Sequence, residues 1–394
     1  MKSIAVYLLI VSLFGGAPRQ TPTESASLVR PPKIKPRPKP EPTEGERATA
    51  PARAGAAHKP AAGTGKPALT YGEMRARVAT ARRVLRARAT SPQTAAFAFY
   101  EPSKSELHYV SLPKSLLSQR DAEATLTTAA GASVSLRVAR ANGVNTTVTA
   151  MLNSRRPLIP LLLKYPLSAV NDEQEVVYYT PAHPALNTAA IAQRGKKYLA
   201  NLLADAAGSL REKGFDIPAS IVKEAHVLCL IEHLDPSRLH RESLESLVQE
   251  VYVLLACNEG DTFLLAGSRA GAFGLVQMIA KTYHGLRRLH PRAGLLPDFV
   301  GGMRNHANAL EAMLLYLQHT WGELSRNSDM RAALDEGLLT RSELLAAGYN
   351  SNPYKLPGYL RRGGRDWRTL LPAETQNYLK LRKSIDRSLR DGRS

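Results

Sequence analysis

The stretch GSRAGAFGLVQMIAKTY, Gly267 to Tyr283, sets three glycines and an uncharged glutamine into a run otherwise suited to a helix. Glycine lowers helix stability by roughly 1 kcal/mol relative to alanine and is kept where backbone must turn or approach a neighbour closely. Gln277, behind Gly271 and Gly274, offers a polar ligand a donor and an acceptor. A turn that delivers an amide to a cleft is one reading, and a loop followed by an ordinary helix is the other. The flanking sequence has to separate them.

From about Ala189 onward the apolar spacing is helical. AQRGKKYLANLLADAAGSLREKG is amphipathic and stops at Gly214. IPASIVKEAHVLCLIEHLDP has Pro218 at an early helix position and Pro236 just past its end. RESLESLVQEVYVLLACNEG, Arg241 to Gly260, again ends in glycine. FVGGMRNHANALEAMLLYLQHTWGEL, MRAALDEGLLTRSELLAAGY and LLPAETQNYLKLRKSIDRSL complete a helical half, residues 189–394, large enough for its own core.

Upstream, Tyr71 to Ala89 reads as a basic helix with Met74, Val78, Ala81 and Leu85 as its apolar stripe. The runs AAFAFYE, SELHYVSL, ASVSLRVAR, NTTVTAML, LIPLLLKYPL and EVVYYT then alternate or are β-branched, punctuated by turn pairs such as Asn142-Gly143 and Asn171-Asp172. They predict a small β-rich domain over residues 70–188, without a catalytic constellation. The expected fold class is α+β.

The chain opens with Lys2 and an apolar run, Ile4 to Phe14, followed by small residues. That is the layout of a signal peptide, residues 1–17, and the run is shorter than the roughly 20 residues a membrane span needs. Pro18 disfavours cleavage directly after Ala17, so retention as a short anchor stays open. No cysteine follows the run to carry a lipid. Residues 18–69 form a Pro/Lys/Ala-rich linker without large apolar side chains, and KPRPKPEP within it predicts an extended spacer. The net charge of +19 points to an anionic partner, and export to the periplasm or cell envelope excludes nucleic acid in favour of wall polymer. Cys229 and Cys257 are the only two cysteines, with no CxxC and no zinc-like spacing, so no metal or cofactor is expected. A bridge between them and two buried thiols both remain open.

Four pieces occur in a fixed order within the helical half: a carboxylate ending an apolar helix, then SRAGAFGLVQM, then GYN, then PAETQNY. This order resembles the soluble lytic transglycosylase domain, a lysozyme-like family that cuts peptidoglycan. Ser268, Gly271, Ala272, Gly274, Leu275 and Gln277 match its glycine-rich element, with Val276 where the family has methionine. Tyr349 and Asn350 match the third element, with Gly348 for alanine, and Pro372, Glu374, Thr375 and Tyr378 match the fourth. The resemblance covers Ile217 to Leu381 and implies a lysozyme-like fold there. It also implies that Ser268, Gly274, Gln277, Tyr349 and Asn350 contact the sugar chain, and that Pro372 to Tyr378 close the fold without direct chemistry.

Glycosidic cleavage needs an acid whose pKa is raised, and burial against apolar side chains does this. Glu232 follows Val227, Leu228, Cys229, Leu230 and Ile231, a turn apolar nearly all round. With Glu224 and Pro236 it is similar to the pattern of the membrane-bound D-type relatives. His233 stands where the family has serine, and a charged imidazole there would lower the glutamate's pKa. Glu259 is the rival, because its fifteen-residue distance to Gly274 resembles the family's usual spacing. Yet it lacks the trailing proline and stands beside Gly260, as a surface C-cap residue would. Glu232 is preferred.

The resemblance implies a single glutamate acting as acid and then base, giving a 1,6-anhydromuramoyl end. Asp235, the nearest second carboxylate, reads as a local cap. A lysozyme-like hydrolase and a catalytically decayed wall-binding scaffold are the alternatives. The expected partner is the peptidoglycan glycan strand, met by a monomer, with an envelope or secretion assembly left open.

Overall fold

A computed structural model describes residues 69–89, 91–167 and 175–391. The signal-like segment and all but the last residue of the linker lie outside the described residues. The basic helix α1 (Tyr71–Ala87) starts at a capping box between Thr70 and Glu73, and its stripe of Met74, Val78, Ala81 and Leu85 is buried as the spacing predicts. Seven strands follow: β1 (Thr94–Glu101), β2 (Glu106–Pro113), β3 (Glu123–Thr127), β4 (Ser133–Arg140), β5 (Thr147–Leu152), β6 (Arg156–Pro166) and β7 (Val176–Tyr179). They pair antiparallel in the order β2-β1-β6-β5-β4-β3, with β7 also on β6. The run EATLT of β3 escapes the sequence reading because its residues are only half-buried or exposed, so alternation is weak there.

The sheet curls around its own core. Phe97 and Phe99 of β1 stack at 5.0 Å and face Val134, Leu136, Val138, Val148 and Ala150 of β4 and β5. The alternate residues Ala96, Ala98 and Tyr100 face the other way and join α1 and the helices in one large core. The boundary read near residue 188 therefore marks a change of secondary structure across which the core is continuous.

The helical half comprises α2 (Ala189–Glu212), α3 (Ala219–Ile231), α4 (Leu244–Asn258), a two-residue hairpin pair β8 (Ala272–Phe273) and β9 (Met278–Ile279), then α5 (Ala280–Leu289), α6 (Phe299–Arg304), α7 (His306–Arg326), α8 (Ser328–Asp335), α9 (Arg341–Asn350), α10 (Leu356–Gly363) and α11 (Ala373–Asp391). Helix α7 is buried along most of its length, as its nearly unbroken ALEAMLLYL predicts. Two continuous apolar patterns divide, at Asn305 and around Gly337, where Asn305 and Thr340 cap new helices. At Gly195 a Cβ would collide with the carbonyl of Tyr252, so only glycine lets α2 and α4 approach this closely. The observed fold class is α+β. Among the described residues no helix is long and apolar enough to cross a membrane. Cys229 and Cys257 are free and buried, with the Cys229 thiol 3.6 Å from Met313 Sδ.

Candidate active site

Helix α3 buries Ile221, Ala225, Val227, Leu228, Leu230 and Ile231 and stops at Glu232, where the chain leaves the core. Glu232 lies in the wall of a pocket of about 800 Å³. Tyr378 of α11 donates its hydroxyl to Glu232 Oε1 at 2.7 Å. Burial pushes the Glu232 carboxyl up to about 8; the Tyr378 hydrogen bond opposes this, and the nearby Glu374 carboxyl adds to it. A carboxyl so placed holds its proton at neutral pH. The expectation that Pro372 to Tyr378 only close the fold is thus corrected at Tyr378, because the first turns of α11 pass directly over the end of α3.

The glycine-rich stretch is a hairpin rather than a helix. Ser268 accepts from Ala272 N at its Oγ (3.0 Å), donates its own N–H to Ala272 O (2.9 Å), and Gly271 turns the chain at φ +80°. Gly274 has φ +75°, and a Cβ there would lie 2.5 Å from Met303 O. Its part is close packing behind the pocket, since Ser268 and Gln277, not Gly274, line the cavity. Gln277 is 7% exposed with φ +46°, and its Nε2 donates to Ala266 O (3.0 Å) and Gly274 O (2.8 Å). Both amide protons serve the turn, so Oε1 is the acceptor Gln277 can offer a ligand. The strained backbone at such a position is a cost that functional sites commonly carry.

Tyr349 and Asn350 close α9 behind the cavity wall, both buried, and do not line it. The Tyr349 hydroxyl donates to Val276 O at 2.5 Å, tying α9 to the glycine-rich hairpin, and its ring meets Tyr316 edge-on at 5.5 Å. Asn350 hydrogen-bonds the Glu374 carboxyl. The pair that the resemblance assigns to sugar contact supports the site from the core side here.

His233 does not act as the charged neighbour its position suggests. Its ring stacks flat on Phe263, with centroids 3.6 Å apart, and Nε2 lies 2.8 Å from Leu275 O. A carbonyl only accepts, so the ring donates there. Burial holds its pKa down to about 4, despite the carbonyl's pull the other way. A neutral imidazole leaves the Glu232 proton in place.

Glu259 lies off the pocket. It caps α4 at φ +46°, half-exposed, with Arg75 at 3.3 Å and the Tyr71 hydroxyl at 3.2 Å, and so anchors α1. Asp235 lines the pocket but caps a short turn, accepting from Ser237 N (3.0 Å) and Oγ (2.6 Å).

The opposite side of the pocket is built by the sheet, from the β4–β5 turn Arg140 to Asn145 together with Tyr165 and Leu167. Thr146 Oγ1 accepts from Asn142 N (3.0 Å), Asn145 Oδ1 accepts from Ala182 N (2.8 Å), and Arg140 pairs with Glu250 (3.2 Å). Glu250 also pairs with Arg238 at 2.7 Å. No local pattern marks this turn as part of a site, since its role arises from packing against α4. Elsewhere, Glu101, Glu106 and His108 bring ligand-type atoms within 4.8 Å. Arg156 (2.7 Å), Ser103 (2.6 Å) and His108 (2.8 Å) already satisfy Glu101, a structural ion network.

Comparison with family models, with curated proteins and with solved structures finds no match for this chain.

Proposed function

We propose that this chain is a peptidoglycan lytic transglycosylase whose helical half is lysozyme-like, acting as an exported, monomeric enzyme of the periplasm or cell envelope. The observation that carries the reading is the Glu232 carboxyl, held protonated at a pocket wall and fixed by Tyr378. Order and spacing of the Ser268–Gln277, Tyr349–Asn350 and Pro372–Tyr378 elements support it from the sequence side.

In the first step Glu232 gives its proton to the oxygen bridging N-acetylmuramic acid and N-acetylglucosamine, and the bond from that oxygen to the muramoyl C1 breaks. The Glu232 carboxylate, stabilised by the Tyr378 hydroxyl, then takes the proton of the muramoyl 6-hydroxyl as its oxygen bonds to C1. The product is a 1,6-anhydro end, Glu232 is protonated again, and no water is consumed. Hydrolysis with inversion would need a second carboxylate free to activate water. Of the other carboxylates in the pocket wall, Asp235 is engaged as a cap and Glu250 is paired with two arginines. That favours the non-hydrolytic route.

Digestion of purified sacculi with mass analysis of the released muropeptides tests the reading. Anhydromuramoyl ends are expected. Reducing ends throughout would make the protein a lysozyme-like hydrolase, and binding without release would make it a scaffold.

A further inference from the structure

The pocket beside Glu232 does not end at the sheet. Tyr165 and Leu167 line it on one side and on the other line a second hollow of about 490 Å³, whose wall includes Gln93, Lys114 and Ser115. The Lys114 ammonium lies over the Tyr165 ring, 5.0 Å from its centroid. A path therefore leads from the acid, past the β4–β5 turn, over an aromatic and an aliphatic side chain, to a cation. On the acid's side of that path Val144 is half-exposed, and Asn142 is exposed with its side-chain amide not used as a cap.

We propose that this groove holds the peptide stem carried by the muramoyl unit, with the stem's free carboxylate at Lys114. The assignment rests on the proposed function above. The glycan backbone runs past Glu232, and only a branch would leave it across the sheet. The chemistry along the path suits a short peptide better than a further sugar: Val144, Tyr165 and Leu167 would pack on methyl-bearing side chains, and Asn142 can pair with a peptide group. The cation at the far end complements a carboxylate, as the net charge of +19 does more generally. The β4–β5 turn is pinned by the Asn142, Asn145 and Arg140 bonds, so the wall is pre-formed and little ordering opposes binding.

Two measurements test this on the full chain. The first compares cleavage of glycan strands bearing stems with the same strands after an amidase has removed them. Wild type should prefer the stem-bearing strands about tenfold or more, the scale of one charge-assisted contact. Lys114→Gln should narrow that ratio to within about threefold, and Lys114→Arg should keep it. The second titrates a synthetic stem tetrapeptide, as free acid and as C-terminal amide, and follows tyrosine-ring NMR signals. The acid should bind more tightly than the amide in wild type, and equally weakly in Lys114→Gln. Equal cleavage of both strands, or a Lys114→Gln ratio equal to wild type, overturns the assignment while leaving the transglycosylase reading intact. Peptide binding by a protein that cleaves neither strand would instead remove the enzyme reading and keep the groove.

Discussion

Tyr378 and Glu232, 146 residues apart in the chain, meet at 2.7 Å, and the hydroxyl is the donor. That bond supports the carboxylate form, so it partly offsets the burial that drives the pKa up to about 8. Tyr378→Phe keeps the ring volume and removes the donor. Glu232 should then titrate at higher pH, and the alkaline limb of activity should move up with it. The second step, which needs the carboxylate as base, loses a hydrogen bond to a charged group worth about 1.5–3 kcal/mol. A fall in kcat of about tenfold or more is expected, with KM little changed. A pH–rate profile of the variant beside wild type checks both.

Glu232→Gln should abolish anhydro-product formation, with a loss of at least about 10²–10⁴ for the acid alone. Glu259→Gln should retain most activity, because that residue pairs with Arg75 away from the pocket. A dead Glu259→Gln with an active Glu232→Gln would reverse the assignment. Stability gives a second readout. Glu232 has a raised folded-state pKa, so its contribution is fully present below the unfolded value near 4.5 and is lost as pH rises through about 8. Glu232→Gln should flatten that slope, melting at or above wild type at pH 9, as thermal scans across pH 5–9 would reveal.

His233→Ser restores the residue of the resembled family, yet should weaken this protein. It removes the stack on Phe263 and leaves Leu275 O without its donor, costing about 1–3 kcal/mol. The imidazole is neutral, so the alkaline limb set by Glu232 should stay where it is. His233 has a depressed folded-state pKa, so its contribution is present above the unfolded value near 6.5 and is lost as pH falls through about 4. Wild type should therefore lose stability on the acid side more steeply than the serine variant. Melting temperatures from pH 3 to 7 decide it.

The acid was legible because its cause is local: an apolar turn ending in a carboxylate reads as a buried helix terminus, and Val227 to Ile231 are buried as that reading requires. The six strand runs and the α1 stripe were legible for the same reason, since periodicity reports the face a residue buries. What escaped depends on packing between distant elements. Tyr378 looks like any tyrosine on an amphipathic helix until α11 crosses the end of α3. The turn Arg140 to Asn145 looks like a hairpin connection until Arg140 finds Glu250 on α4. His233 misled because charge was inferred from residue type, whereas Phe263 and Leu275 set its protonation.

Glu224 and Arg382 show how α11 is held where Tyr378 can reach the acid. Glu224, 2% exposed, accepts from Arg382 Nε at 3.0 Å and Nη2 at 2.9 Å, a bidentate pair between α3 and α11. Tyr378 and Arg382 lie one turn apart on α11, and Glu232 and Glu224 two turns apart along α3 and its end, so the two contacts clamp one helix across the other. Glu224→Gln leaves a buried guanidinium with its main counter-charge removed and should cost about 3–5 kcal/mol. Replacing both partners, Glu224→Leu with Arg382→Met, removes the charge as well as the partner and should cost clearly less than the single change. Because the clamp sets the Tyr378 distance, the double variant should fold yet show the raised alkaline limb of Tyr378→Phe. Denaturant melts of the three variants, read beside their pH–rate profiles, test the two halves separately: a double variant as unstable as the single removes the buried-charge account, and an unshifted limb removes the positioning one.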